Sequence, residues 1–311
     1  MAKATGVLLM AYGGPNSLSD VEPYLFDVRG GRATPPEVVE EVRERYAQIG
    51  GHSPLLELTR AQANTLQREL GDGYRVYVGM RHWHPYIQET MLQIARDGIE
   101  QLVALALAPH YSKMSIGAYM SKAREARDAL APTLRIREVL SWNTHALFLD
   151  ALAEKSVRAL SRFAAAERAN VEWIFSAHSL PERILRDQDP YPHELHETVE
   201  GLVARLGALH HQLAYQSAGR TREPWLGPDV GAVIDALAAQ GRRNIIVQPV
   251  GFVCDHVEIL YDVDIIYKRQ AQRLGVHLER AESLNDSPKL IAALADIVHR
   301  SESQTSAANR P

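Results

Sequence analysis

Two stretches decide the fold: Val7-Leu8-Leu9-Met10-Ala11-Tyr12 and Glu172-Trp173-Ile174-Phe175-Ser176-Ala177-His178. Each is a short, nearly continuous apolar run ending in a polar aromatic side chain, the pattern of a strand buried on both faces of a parallel sheet. Setting Tyr12 opposite His178 makes the two halves of the chain look like loose copies. Later in each half, strands run into Ala108-Pro109-His110 and Gln248-Pro249-Val250. Working outward, strand candidates fall at 7–11, 75–79, 103–108 and 134–139, then at 172–177, 213–217, 244–250 and 276–280. Helical patterns separate nearly all of them, so the expected class is α/β with parallel sheets covered on both sides. The clearest helix runs from Pro35 to Ile49: Thr34 and Glu37 have capping-box spacing, and Val38, Val42, Tyr46 and Ile49 recur on one face. A break near Trp142–Thr144 divides the chain into domains at 1–144 and 145–300, followed by a polar tail, 301–311, expected to be disordered.

Length agrees, since 311 residues fit two domains of about 150 residues each. With 34 basic and 38 acidic residues the chain carries a net charge of −4 and no Lys/Arg block, which argues against nucleic-acid binding. A single cysteine, Cys254, excludes a disulfide framework and a four-thiolate iron–sulfur cluster within one chain. It reads as a small buried apolar residue. The longest apolar run, Leu102 to Ala108, is far short of the roughly 18 residues of a spanning helix. The expectation is a cytoplasmic protein without a membrane segment.

Ligands of open α/β sheets bind beyond the carboxyl ends of the strands. Tyr12-Gly13-Gly14-Pro15 lacks both phosphate-loop patterns, and Pro15 removes an N–H that a phosphate cradle would use. The glycines instead suit a backbone lying close to a large flat ligand. His178, between Ser176 and Ser179, can accept a proton or bind a metal at physiological pH. No G-x-S-x-G surrounds either serine, so a serine hydrolase is not expected. Should a helix begin near Asp255, then Asp255, Glu258 and Asp262 share one face, an oxygen donor set for a divalent metal beside an imidazole. The bland alternatives are a packed tyrosine, a hydrogen-bonded histidine and a solvated acidic face. His193 and His196 are three apart rather than four, His82 with His84 make only two ligands, and His210 and His211 point to different sides of a helix. All three sets read as surface or structural.

Together these segments resemble the ferrochelatases, enzymes that insert ferrous iron into porphyrins. Met10-Ala11-Tyr12-Gly13-Gly14-Pro15, Ser176-Ala177-His178-Ser179-Leu180-Pro181 and Gly251-Phe252-Val253-Cys254-Asp255-His256-Val257-Glu258 carry the resemblance. The stretches from Tyr46 to Leu55 and from Trp225 to Asp229 match as well, in the same order. The resemblance implies two Rossmann-like chelatase domains, each a four-stranded parallel sheet flanked by helices, with a porphyrin cleft between them. It places the family's metal-site histidine and glutamate, the catalytic pair, on His178 and Glu258. A tyrosine at position 12 is the coproporphyrin-type residue, ligating iron from the opposite face of the macrocycle; protoporphyrin-type relatives usually carry methionine. That branch also implies porphyrin contacts from Arg29, Arg45, Tyr46, Ser53 and Tyr119. Gly30 departs from relatives that carry a second arginine, and Ile266 interrupts the acidic ladder that some members continue beyond Asp262.

The function implied is a lyase of haem synthesis acting on coproporphyrin III, with Fe²⁺ as substrate and no organic cofactor. Its partners are those two substrates, with room for transient contact with neighbouring haem-pathway enzymes. The competing readings are a protoporphyrin IX ferrochelatase and a non-catalytic porphyrin or haem carrier.

Overall fold

The computed structural model describes residues 4–308. The chain divides into two compact units, one comprising residues up to Trp142 and from Asn285 onward, the other Asn143–Leu284. The first unit holds strands β1 (Thr5–Ala11), β2 (Tyr74–Met80), β3 (Gln101–Ala106) and β4 (Arg135–Val139). They pair in parallel in the order β2-β1-β3-β4. The second unit repeats the arrangement with β5 (Glu172–His178), β6 (His210–Gln216), β7 (Asn244–Pro249) and β8 (His277–Arg280), in the order β6-β5-β7-β8. All eight expected strands are present, the two sheets are equivalent, and Tyr12 and His178 stand at corresponding ends of β1 and β5.

The apolar runs sit where a doubly covered sheet needs them. Val7, Leu8, Leu9 and Met10 have no exposed surface, nor do Ile174, Phe175 and Ala177. On one face of the first sheet, Leu8, Met10, Leu102 and Ala104 pack with Ile87, Met91 and Ile94 of the helix Ile87–Arg96 and with Ile116, Met120 and Ala123 of the helix Ile116–Leu130. In the second unit, Ile174, Ile245 and Val247 pack with Val233, Ile234 and Leu237 of the helix Val230–Ala239 and with Ile259, Val263 and Tyr267. In each sheet the chain leaves the first strand for one neighbour and then crosses to the other side. The switch point therefore lies between the carboxyl ends of β1 and β3, and again between those of β5 and β7.

Several expectations are corrected. The C-terminal helix, Pro288–Ala308, belongs with the first unit rather than closing the second domain at residue 300. It packs on the helix Leu55–Leu70, its Glu302 accepts from Thr5 Oγ1 at 2.8 Å, and the carbonyl of Asn285 accepts from Gln62 Nε2 at 2.8 Å. That helix also occupies most of the stretch expected as a disordered tail; 309–311 lie outside the described residues. The helix begun by Thr34 starts instead at Pro36, with Pro35 as its cap and no side-chain capping bond, and it buries Val39 and Tyr46 rather than Val38. His210 and His211 open strand β6 and are not helical. Among the described residues no helix is long and apolar enough to cross a membrane.

Candidate active site

In the second unit, β5 delivers His178 and the chain beyond β7 delivers Glu258, so both stand at the switch point. The close approach of those chains depends on Gly251, where a Cβ would fall 2.7 Å from that of Ala177. The N–H groups of Val250 and Gly251 both reach the Ser176 carbonyl, at 2.9 and 3.2 Å. His178 Nδ1 donates to the carbonyl of Ser179, which turns Nε2 towards Glu258 Oε1 at 3.4 Å. Tyr191, buried, donates its hydroxyl to the His178 carbonyl at 2.9 Å and fixes the end of β5.

Glu258 opens an unusual element. Glu258–Tyr267 is a π-helix, with bonds to the fifth residue rather than the fourth. Its buried residues, Ile259, Val263 and Tyr267, recur every four positions, a spacing that stays on one face of this wider helix. Glu258 and Asp262 then follow one another along the adjoining face. Asp262 takes the hydroxyl of Ser217 at 2.6 Å, while Ile266 is exposed. The expected α-helical face is thereby corrected. Asp255 precedes the helix and pairs with Arg280 at 3.2 Å.

Sequence reasoning missed His256, although it stands two residues before Glu258. Its Nε2 lies 3.6 Å from Glu258 Oε2, and its Nδ1 lies 3.0 Å from the Cys254 carbonyl. One carboxylate thus faces an imidazole on each oxygen. Burial disfavours charge on His178, but Glu258 beside it, the Ser179 carbonyl and Asp262 outweigh burial and raise its pKa to about 9. Burial likewise resists charge on Glu258, yet His178 and His256 hold it well below the ordinary carboxylate range. Each group thus favours the charged form of the other, imidazolium beside carboxylate. Nitrogen and oxygen donors of this kind suit a divalent first-row metal, and either can carry a proton. Cys254 is buried, its thiol pushed up to about 12 by burial and Asp255, which leaves it inert.

The first unit places Tyr12 immediately after β1, the residue 40% exposed. Its ring centroid lies 4.6 Å from that of His82, which is buried and bonded through Nδ1 to Asp27 at 2.7 Å. Burial lowers the His82 pKa to about 4; Asp27 opposes this, but Arg81 and Lys122 reinforce it, so the ring is neutral. Arg81, also missed from sequence, holds its guanidinium carbon 5.8 Å from the Tyr12 ring centre and 5.5 Å from that of buried Tyr119. Tyr46 and Ser53 are buried together against Gly14, where a Cβ would fall 2.5 Å from Ser53 Oγ and 3.5 Å from the Tyr46 hydroxyl. Arg29 is exposed at the end of the helix Val21–Val28, and Arg45 pairs with Glu41 at 2.6 Å. The structure therefore groups Tyr12, Arg81 and Tyr119, and separately Tyr46 with Ser53.

Two four-stranded parallel sheets flanked by helices, each with its own switch point, define a Rossmann-like α/β protein of two units. Solved structures share that fold: one described as SirB from Bacillus subtilis with Fe3+ superposes with a TM-score of 0.61 at 10% identity, over 98% of each chain. The ferrochelatase family model matches residues 4–302, and the chain belongs to the ferrochelatase family, a family of metal chelatases. A ferrochelatase of Herpetosiphon aurantiacus is 45% identical over 302 residues, 96% of this chain and 99% of that one. A coproporphyrin III ferrochelatase of Oceanobacillus iheyensis is 38% identical, over 95% and 96% respectively.

Proposed function

We propose that this ferrochelatase works in the cytoplasm and inserts Fe²⁺ into coproporphyrin III, releasing two protons and yielding Fe-coproporphyrin III. The observation that carries the substrate choice is the exposed phenol of Tyr12 at the end of β1, an oxygen donor for the iron of the product. Relatives named for coproporphyrin III, at 38% and 39% identity across nearly the whole chain, support the same reading. Arg29 and Arg45 supply cations for the propionates, and the hydroxyls of Tyr46, Ser53 and Tyr119 add neutral hydrogen bonds.

The metal step falls to His178 and Glu258. Two pyrrole N–H protons must leave as the metal enters, and Fe²⁺ must shed water. Fe²⁺ approaching Glu258 competes for the negative charge that keeps His178 protonated. His178 then passes its Nε2 proton to solvent water, and Nε2 becomes available to the incoming metal or to a pyrrole proton, which follows the first proton out to water. The coupled pair thus links metal arrival to proton removal, while binding energy from the propionates supplies the distortion that exposes the pyrrole lone pairs.

The test is anaerobic Fe²⁺ insertion followed by visible spectroscopy with coproporphyrin III and protoporphyrin IX. Faster turnover of coproporphyrin III is expected. Preference for protoporphyrin IX would overturn the weight placed on Tyr12, and binding of both without metallation would leave a carrier.

A further inference from the structure

Arg280 ends β8, outside every segment that carries the family resemblance, and its side chain is only 12% exposed. Its guanidinium grips Asp264 as a fork, Nε to Oδ1 at 3.0 Å and Nη2 to Oδ2 at 2.8 Å. Its remaining nitrogen, Nη1, reaches Asp255 Oδ1 at 3.2 Å and Ser283 Oγ at 3.4 Å. Ser283 in turn donates to the same Asp255 oxygen at 2.7 Å. One side chain thus bridges two carboxylates, each about a fifth exposed.

Those carboxylates occupy telling positions. Asp255 directly precedes His256, and Asp264 lies inside the π-helix that Glu258 begins. His256, Glu258 and Asp262 thus lie in the stretch between two carboxylates that one guanidinium bridges, Asp264 also pairing with Lys268 at 3.1 Å. Helices with bonds to the fifth residue are rare beyond a single turn, so a ten-residue example calls for outside support. A planar fork supplies it with fixed direction, which a lysine ammonium cannot reproduce.

We propose that Arg280 is a positioning residue for metal insertion, splinting the segment from Asp255 to Asp264 so that Glu258 stands at reacting distance from His178. The proposal rests on the reading that this pair performs the insertion. It assigns Arg280 no contact with porphyrin or metal. Its loss should therefore show in the chemical step and in the use of metal, not in porphyrin affinity.

The experiment compares wild type with Arg280→Lys, which keeps the charge and removes the fork. Thermal melting, porphyrin binding by fluorescence and anaerobic Fe²⁺ insertion are measured on the full chain. The expected result is a folded variant with unchanged porphyrin Kd, a raised KM for Fe²⁺ and a kcat lower by about tenfold to a hundredfold, as outer-shell supports of metal sites show. Should Arg280→Lys fail to fold, Asp264→Asn weakens the same fork from the other side and is held to the same outcome. A folded variant with wild-type kcat and KM overturns the proposal. So does a parallel loss of melting temperature, porphyrin affinity and turnover, the mark of a general structural role. Wild type that binds porphyrin without metallating it would overturn the underlying reading of the site, and is seen before any variant is made.

Discussion

The side-chain amide of Gln216 donates to the backbone carbonyl of Glu258 at 2.8 Å. The same residue, fully buried, receives the Ser176 hydroxyl on Oε1 at 2.8 Å and gives its own carbonyl to the Ser179 N–H, also at 2.8 Å. Gln216 stands opposite His178 in the β5–β6 register, so one residue couples the strand that ends in His178 to the first turn that presents Glu258. Gln216→Leu strands the Ser176 hydroxyl and the Glu258 carbonyl. At about 1–3 kcal/mol for each of these two buried groups left unpaired, a loss of roughly 2–6 kcal/mol is expected in chemical denaturation. Ser176→Ala strands one acceptor and should cost less.

The His178–Glu258 pair makes stability depend on pH in a defined direction. The His178 pKa rises on folding from 6.5 to about 9, so its contribution is complete below 6.5 and is lost as pH climbs through 9. Glu258 is depressed from 4.5, so its contribution is complete above 4.5 and is lost on acidification. Both operate together between those two ordinary values. Glu258→Gln removes the strongest influence that opposes burial, and His178, followed by NMR in the apo protein, should titrate near or below 6.5. A His178 that still titrates near 9 in that variant would show that the carboxylate is not the cause.

Gly14 has no room for a side chain. The obstruction is Ser53, whose Oγ and Cβ would lie 2.5 and 2.7 Å from an added methyl. Gly14→Ala should cost about 1–3 kcal/mol, the usual range for overpacking. It should also weaken porphyrin binding by displacing Ser53. Adding Ser53→Gly relieves the clash, so the double variant should recover stability without recovering affinity.

Tyr12→Phe keeps the ring beside His82 and Arg81 and removes only the hydroxyl. Because Tyr12 is 40% exposed, stability should change by less than about 0.5 kcal/mol. The change should fall on the iron product instead: its visible spectrum shifts and its affinity drops. An unaltered product spectrum would count against Tyr12 as an iron ligand.

The sheets were legible because their strands are parallel and covered on both faces, so that 7–10 and 173–175 read as unbroken apolar runs. Tyr12 and His178 were legible as candidates because each polar side chain ends such a run; a packed tyrosine or a hydrogen-bonded histidine fits the run equally well, and the family resemblance supplied the choice. The ownership of the last helix was not: an amphipathic pattern after residue 288 states that one face is buried, not against which sheet. Asp255 was misplaced because an α-helical period was applied to a segment whose helix begins later and closes to the fifth residue. His82, read as structural, is buried and bonded to Asp27, but that partner, distant in sequence, could not be named from the chain alone. Arg280 and Gln216 lack any local signal, since each acts through partners that only the folded chain brings near.

If His178 and Glu258 insert the metal, removing the imidazole should slow the insertion itself. Stopped-flow metallation of coproporphyrin III by Fe²⁺ under anaerobic conditions, wild type against His178→Ala, tests it most directly. With porphyrin affinity unchanged, the variant should metallate slower by about 10²–10⁴-fold, the range for a lost acid–base group. A His178→Ala enzyme that binds coproporphyrin III and metallates it at the wild-type rate would remove His178 from the metal step.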